Sequence, residues 1–186
     1  MDDYPRVEIA TVGQWRDWLQ THGASSGSIW LVKWKKGKGA YVAYGDLVDE
    51  ALCFGWIDSL PRSLDASRTM LLMSPRRPGS GWSTVNKQRV ERLIEAGRMA
   101  APGAAAIERA KRDGSWTLLD RAGALTVADD LAAALDRHDA RTKFEALPPS
   151  ARRGILEWID QARRPETRTR RIEETAAAAA EGRRVR

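Results

Sequence analysis

Apolar positions in the first part of the chain follow two different periods. Residues 7–10 predict a short strand. Thr11 is expected to cap a helix on which Trp15, Trp18 and Leu19 share one face, because they are three or four residues apart. A strand followed closely by an amphipathic helix indicates that this region mixes the two element types.

Three more strand-like segments surround a second helix. The run 28–35 is apolar on both faces at its start and alternates at its end, as a central strand does when it emerges toward solvent. Tyr44 opens a helix with a dense apolar stripe. Segments 56–59 and 70–73 predict two strands joined by a turn at 65–67. The pattern predicts an α+β fold: a small, mostly antiparallel sheet with two helices packed against one face.

Helical spacing replaces the strands after residue 74. Two prolines and two glycines in 75–81 exclude regular structure there. Ser83 then caps a predicted helix that Gly97 ends. The side chains expected to point inward from this helix are Val85, Val90, Leu93 and Ile94.

The remainder of the chain predicts only helices. Thr126 is expected to cap one of them, and 166–181 forms the last. The alanine run at 176–180 favours helix but offers little to bury, so we expect this end to fray. We predict two domains, an α+β domain over 1–115 and a helical C-terminal region over 116–186.

Composition narrows the chemistry. The 186 residues contain one cysteine, Cys53, and two histidines, His22 and His138, with no CxxC pattern. A disulfide scaffold and a structural zinc site are thereby excluded, and no nucleophile–histidine–acid set can be drawn. We expect no metal and no cofactor.

Charge and hydropathy bear on partners and location. The N-terminus lacks the basic and apolar stretches of a secretory signal, and no run approaches the roughly 18 apolar residues of a membrane helix. We therefore expect a cytoplasmic protein with no membrane insertion. The formal net charge of +6 suggests polyanionic partners, so nucleic acid is kept as a possible one.

Three separated motifs carry a family resemblance. They are ALCFGWIDS at 51–59, PRRPGSGWS at 75–83 followed by Asn86 and Lys87, and a C-terminal set of FEALPPS at 144–150, Trp158-Ile159 and PETR at 165–168. In this order they resemble the bacterial YdeI/OmpD-associated family, also called bacteriocin-protection proteins, over nearly the whole chain. The resemblance implies association with envelope stress and with tolerance of bacteriocins or peptides, and it implies no established reaction.

The segment 76–87 has the composition of an anion site. Its glycines permit close backbone approach, and the helix start that follows presents N–H groups. The residues expected to hold the anion are Arg76, Arg77, Ser83, Asn86 and Lys87. The P-loop spacing GxxxxGK[ST] is absent. The alternative is a capped helix after an irregular loop whose arginines are solvated or pair with carboxylates such as Asp58 or Asp65.

Tryptophans cluster near the same motifs. Four of them could line a groove in which indole faces stack on a ligand: Trp30, Trp34, Trp56 and Trp82. The alternative is core packing, which we favour for Trp15, Trp30 and Trp158.

Two carboxylates are candidates for a functional role. Asp58 could accept a proton or orient an arginine of the Arg76/Arg77 pair, and an internal salt bridge is the alternative. Glu50 is the other candidate for general acid–base chemistry. Cys53 lies in the apolar stripe of a predicted helix, so we expect it to be buried and to pack as a small hydrophobic side chain.

The arginines after residue 163 alternate with glutamates. Pairs at helical spacing such as Glu166–Arg170 indicate a solvated face that pairs with itself, with a narrow apolar stripe at Ile172, Thr175, Ala176 and Ala179. Taken together, the sequence predicts a non-enzymatic, stress- or bacteriocin-tolerance-associated binder of a small anionic or phosphate-containing ligand through a Trp/Arg-lined site. A nucleic-acid-binding module is the alternative.

Overall fold

The α+β class is confirmed by the structure, a computed structural model that describes residues 4–185. Contacts divide the described chain into two units. The first contains residues up to Gly79 together with Val85–Asp113, and the second contains Ser80–Thr84 and the residues from Gly114 onward. The domain boundary near 115 stays a prediction.

The described residues form four strands and nine helices. The strands are Arg6–Glu8 (β1), Ile29–Trp34 (β2), Trp56–Ser63 (β3) and Arg68–Pro75 (β4). The helices are Val12–His22 (α1), Tyr44–Cys53 (α2), Thr84–Glu95 (α3), Ala101–Arg112 (α4), Asp120–Gly123 (α5), Asp129–Arg137 (α6), Arg141–Glu145 (α7), Pro149–Asp160 (α8) and Pro165–Ala180 (α9).

A mixed sheet organises the first unit. Its strand order is β1-β2-β4-β3, with β1 parallel to β2 and the other two pairings antiparallel. The turn between β3 and β4 forms where predicted, because Asp65 Oδ1 accepts the backbone N–H groups of Ser67 at 2.8 Å and Arg68 at 2.7 Å. Both hairpin strands are longer than the sequence pattern indicates.

One face of the sheet meets α1 and α2. Leu31 and Lys33 lie on that face, and Lys33 Nζ donates to the Val42 carbonyl at 2.6 Å, just before α2 begins. The two helices are tied together by the Trp15 indole, which donates to the Leu47 carbonyl at 3.0 Å. Thr11 caps α1 as predicted, since its Oγ1 accepts the Gln14 N–H at 3.1 Å.

The opposite face carries a smaller apolar cluster. Trp30, Val32 and Met70 are buried there, and the Arg62 guanidinium lies over the Trp30 ring at 4.9 Å. Core packing is thus confirmed for Trp30 and for the fully buried Trp15. Trp158 is only half-buried, with the Arg171 guanidinium over its ring at 4.9 Å.

The inward face of α3 is narrower than predicted. Val90 and Leu93 are buried, but the prediction is wrong for Val85 and Ile94, which are 55% and 53% exposed. The reason is that a helix packed against a single surface buries the apolar residues on one narrow stripe and leaves its other apolar residues exposed. The next helix, α4, packs tightly on α2: a Cβ added at Gly103 would lie 2.2 Å from the Cys53 carbonyl oxygen.

The second unit is a cluster of small helices. Leu131, Leu135, Phe144 and Ile159 are central to its buried core. Thr126 does not cap α6, because the helix begins at Asp129 and its N-cap residue is Ala128. Leu125, with a positive φ of 58°, instead ends the turn that follows α5.

The alanine run of α9 is packed rather than surface-exposed. Ala176, Ala178 and Ala179 are buried, together with Ile172 and Thr175 of the predicted stripe. The helix remains regular to Ala180, whose carbonyl accepts Lys143 Nζ at 2.6 Å. The expectation that alanine offers little to bury is therefore wrong, because small side chains let neighbouring helices approach closely.

No helix among residues 4–185 is both long and apolar enough to cross a membrane.

Candidate functional site

Asp58 and Arg76 come together through the geometry of β3 and β4. Trp56 pairs with Pro75 across the two strands, and the Arg76 N–H donates to the Gly55 carbonyl at 2.9 Å. Gly55 has a φ of +75°, which lets α2 end and β3 begin within two residues. Asp58 is two residues along β3, and its carboxylate interacts electrostatically with the Arg76 guanidinium.

Arg76 is a nearly buried cation. It is 7% exposed, and its burial lowers the pKa of its guanidinium to about 10, with the Asp58 charge acting in the opposite direction. At neutral pH the group therefore stays charged. Holding a guanidinium in this environment costs solvation free energy that an apolar side chain would not.

Tyr44 joins this pair from the first turn of α2. Its hydroxyl donates to Asp58 Oδ2 at 2.7 Å. Burial and then this hydrogen bond raise the pKa of Tyr44 to about 12, while the positive charge of Arg89 lowers it. The phenol is consequently a neutral hydrogen-bond donor at physiological pH, and half of the residue is exposed. We name Tyr44, Asp58 and Arg76 the polar cluster.

Arg89 holds α3 beside the polar cluster. Its Nη1 donates to Asp49 Oδ1 at 2.5 Å and to the Gly45 carbonyl at 3.2 Å. This cation therefore anchors α3 to the first two turns of α2, close enough to Tyr44 to affect its titration. The sequence analysis missed both Tyr44 and Arg89. Their placement depends on how α2 and α3 pack, for which the local spacing holds no signal.

The tryptophans predicted to line a groove differ in exposure. Trp56 is 1% exposed, and its indole Nε1 donates to the Gly23 carbonyl at 3.1 Å. Trp82 is also 1% exposed and contacts Trp116, with ring centroids 5.1 Å apart. Both indoles are covered by protein, so neither offers a face for stacking on a ligand in this conformation. Trp34 is half-buried at the end of β2, and Gly39 lies directly on its ring.

The remaining predicted ligand residues are spread over both units. Arg77 is exposed next to Arg76, and Asn86 and Lys87 lie half-buried in the first turn of α3, all in the first unit. Ser83 is half-buried and belongs, like Trp82, to the second unit. Within the first unit, the structure therefore joins Asp58 to Arg76, and their binding role stays a prediction.

Glu50 is engaged in a separate arrangement on the other side of α2. Its side chain is 2% exposed and accepts hydrogen bonds from Arg16, at 2.7 Å, and from Arg98.

Cys53 is fully buried as predicted, and this burial raises the pKa of its thiol. Within residues 4–185 no three His, Cys, Asp or Glu side chains are close enough together to hold a metal ion.

The two histidines lie far from the polar cluster in sequence and have different partners. The His22 ring stacks on Trp18 in α1, with centroids 5.3 Å apart. His138 Nε2 lies 3.1 Å from Glu173 Oε2 in the second unit. Neither contact pairs a histidine with a nucleophile.

Family comparisons divide the chain in a similar way. A family model described as a domain of unknown function, DUF8412, matches residues 7–106. A second model, described as bacteriocin-protection, YdeI or OmpD-associated, matches residues 124–182. No curated protein and no solved structure matched the chain.

These matches confirm the predicted resemblance and correct its extent. The YdeI/OmpD-associated match covers the region that contains the C-terminal motifs FEALPPS and PETR. The motifs at 51–59 and 75–83 instead lie within the residues that match DUF8412.

Proposed function

The chain belongs to the DUF8412 family, a domain of unknown function, and within that family we propose that it is a non-catalytic binder of a small anionic ligand. The proposed site is the polar cluster of Tyr44, Asp58 and Arg76 in the first unit. The bacteriocin-protection, YdeI or OmpD-associated match at 124–182 supports a role for the whole chain in bacteriocin tolerance. Such a role would take place in the cytoplasm, as the sequence predicts.

The burial of the Arg76 guanidinium is the observation that carries the proposal. A buried arginine contributes less to stability than a well-packed apolar side chain of similar size would, so its presence favours a role other than packing. Titratable groups with shifted pKa values that meet at one place are typical of functional sites. Here both Tyr44 and Arg76 are shifted, and Asp58 interacts with both.

Each member of the polar cluster has a distinct proposed role. Arg76 supplies a planar donor that is charged at physiological pH and suits phosphate or carboxylate oxygens. The neutral Tyr44 hydroxyl donates its single O–H to Asp58 Oδ2, so it holds that carboxylate in place and does not donate to the anion. Asp58 orients both groups and does not touch the anion, since two negative charges would repel each other. Arg77, exposed beside Arg76, adds attraction at longer range.

Calorimetric titration with inorganic phosphate and with ATP tests this proposal. We expect saturable binding to the full chain. Arg76→Gln is expected to weaken it about tenfold or more, because a charge-assisted hydrogen bond is lost. Arg92→Gln removes an equal charge from the exposed side of α3 and is expected to leave affinity unchanged. Absence of binding to either probe at millimolar concentration would contradict the proposal.

A second variant, at a half-exposed position, tests the same site if the Arg76 variant fails to fold. Tyr44→Phe removes one hydroxyl from a half-exposed side chain, so the fold should be retained and affinity should fall several-fold. If phosphate does not bind but a single-stranded oligonucleotide does, with affinity falling steeply as salt rises, the alternative nucleic-acid module replaces the proposal.

A further inference from the structure

A cavity opens in the first unit on the side of α2 that carries Glu50. It lies between α1, Phe54 directly after α2, and the start of α4, and has a volume of about 290 Å³. Its main lining residues are Arg16, Leu19, Gln20, Phe54, Ala100 and Pro102. This volume is close to the lower end of the range for small-molecule sites, roughly 300–1,000 Å³, and too small for a folded segment of another protein.

Most of the cavity wall is apolar, and among the described residues that line it Arg16 is the charged one. Leu19, Phe54 and Pro102 present hydrocarbon surface, and Gln20 adds one neutral amide. A wall of this kind favours a ligand with an apolar body and a single polar end.

Arg16 is fixed by the protein before any ligand arrives. Its Nη1 donates to Glu50 Oε2 at 2.7 Å, and its Nη2 donates to the Arg98 carbonyl at 3.1 Å. The guanidinium carbon lies 5.3 Å from the centre of the Phe54 ring. Two of the five N–H groups of the guanidinium are used by these protein oxygens, and the side chain also donates a hydrogen bond to the Cys53 sulfur. The side chain is 35% exposed, so the rest of its donors can reach a ligand.

The charges beside the cavity do not cancel. Two guanidiniums, Arg16 and Arg98, share the single Glu50 carboxylate, which leaves one net positive charge. The nearby Cys53 thiol does not offset this charge, because burial raises its pKa and keeps it neutral. The hydrogen bond to Glu50 raises the pKa of Arg16, so its cation persists at every physiological pH.

We propose that this cavity binds a small monocarboxylate with an apolar or aromatic body. The carboxylate takes the unused N–H donors of Arg16, and the body lies against Leu19, Phe54 and Pro102. Glu50 and Arg98 act as positioning residues that fix the guanidinium without touching the ligand. This site shares no residue with the polar cluster, so either site can fail its test without affecting the other.

Titration with benzoate tests the proposal, with benzamide as an uncharged probe of the same shape. The Trp56 indole donates to the carbonyl of Gly23, which also lines the cavity, so its fluorescence provides a readout beside calorimetry. We expect saturable binding of benzoate and at least about tenfold weaker binding of benzamide, because the charge-assisted pair is missing.

Variants separate a real cavity site from general attraction to basic surface. Ala24→Trp places an indole at the exposed rim of the cavity and keeps Arg16 in the chain. It should weaken benzoate binding about tenfold or more while the far-ultraviolet circular dichroism spectrum is unchanged. Arg92→Gln, an exposed position on α3, should have no effect. Equal binding of benzoate and benzamide, equal binding by Ala24→Trp and the parent chain, or no binding of benzoate at millimolar concentration would each overturn the proposal.

Discussion

Among residues 4–185, each unit contains a buried carboxylate between two arginines, and the two arrangements differ in their charge balance. In the first unit Glu50 bridges Arg16 and Arg98. In the second, Asp160 lies 3.0 Å from Arg168 and 3.5 Å from Arg121. Arg168 also bonds Asp130, at 2.7 Å, so two arginines there face two carboxylates.

This difference indicates where binding is to be expected. A network that neutralises itself satisfies its own members and has no charge left to attract a ligand. The Glu50 arrangement leaves one positive charge beside a cavity, and the same unit also buries the Arg76 guanidinium. We infer that the second unit uses its charges for cohesion and that the first uses them for recognition.

Removing the buried carboxylate should give the largest effect on stability. Glu50→Gln leaves two guanidiniums without their shared counter-charge, and we expect a loss of about 3 kcal/mol in the free energy of unfolding. Urea denaturation measures this value. Glu173→Gln, which removes an exposed partner of Arg137, should have a much smaller effect, because solvent screens that pair. If both variants lost a similar amount of unfolding free energy, the buried Glu50 would contribute no more to stability than the exposed Glu173.

The packed alanines of the second unit provide the next test. Ala176 is fully buried, so Ala176→Leu inserts a large side chain into a filled core and should cost about 1–3 kcal/mol. Ala133→Leu on the exposed side of α6 should change stability by less than about 0.5 kcal/mol. If both variants are equally stable, the alanine run is not packed as described.

Sequence periodicity predicted the elements better than it predicted their partners. Thr11 marked the start of α1, and Asp65 marked the turn between β3 and β4, because both signals are local hydrogen bonds. The burial of Ala176 was not predictable from hydrophobicity, since small side chains become core only where two helices approach closely.

The candidate site was predictable only in part. Asp58 and Arg76 stood out as charged residues of the motifs at 51–59 and 75–83, and the structure confirms that they interact. The Glu50 arrangement was hidden, because its arginines lie 34 and 48 residues away along the chain. The buried faces of Trp56 and Trp82 were equally hidden, since tryptophan suits a core as well as a groove.

Acid should have a smaller effect, and part of it arises in the network of Asp130, Asp160, Arg121 and Arg168. The hydrogen bond from Arg168 lowers the pKa of Asp130 below its unfolded value, so the ionised carboxylate stabilises the fold above about pH 4. This contribution is lost as pH falls through the folded pKa. The thermal midpoint should therefore drop on acidification, and by less in Arg168→Gln. Arg170→Gln, which removes a more exposed arginine from the same helix, should keep the parental pH dependence.

Nuclear magnetic resonance of the ¹⁵N-labelled chain during titration with inorganic phosphate tests most directly whether recognition belongs to the first unit. The account predicts saturable shifts of the backbone resonances of Tyr44, Asp58 and Arg76, with those of α8 and α9 unchanged. Shifts that grow without saturation along the exposed arginines of α9, or no shifts at all, would contradict it.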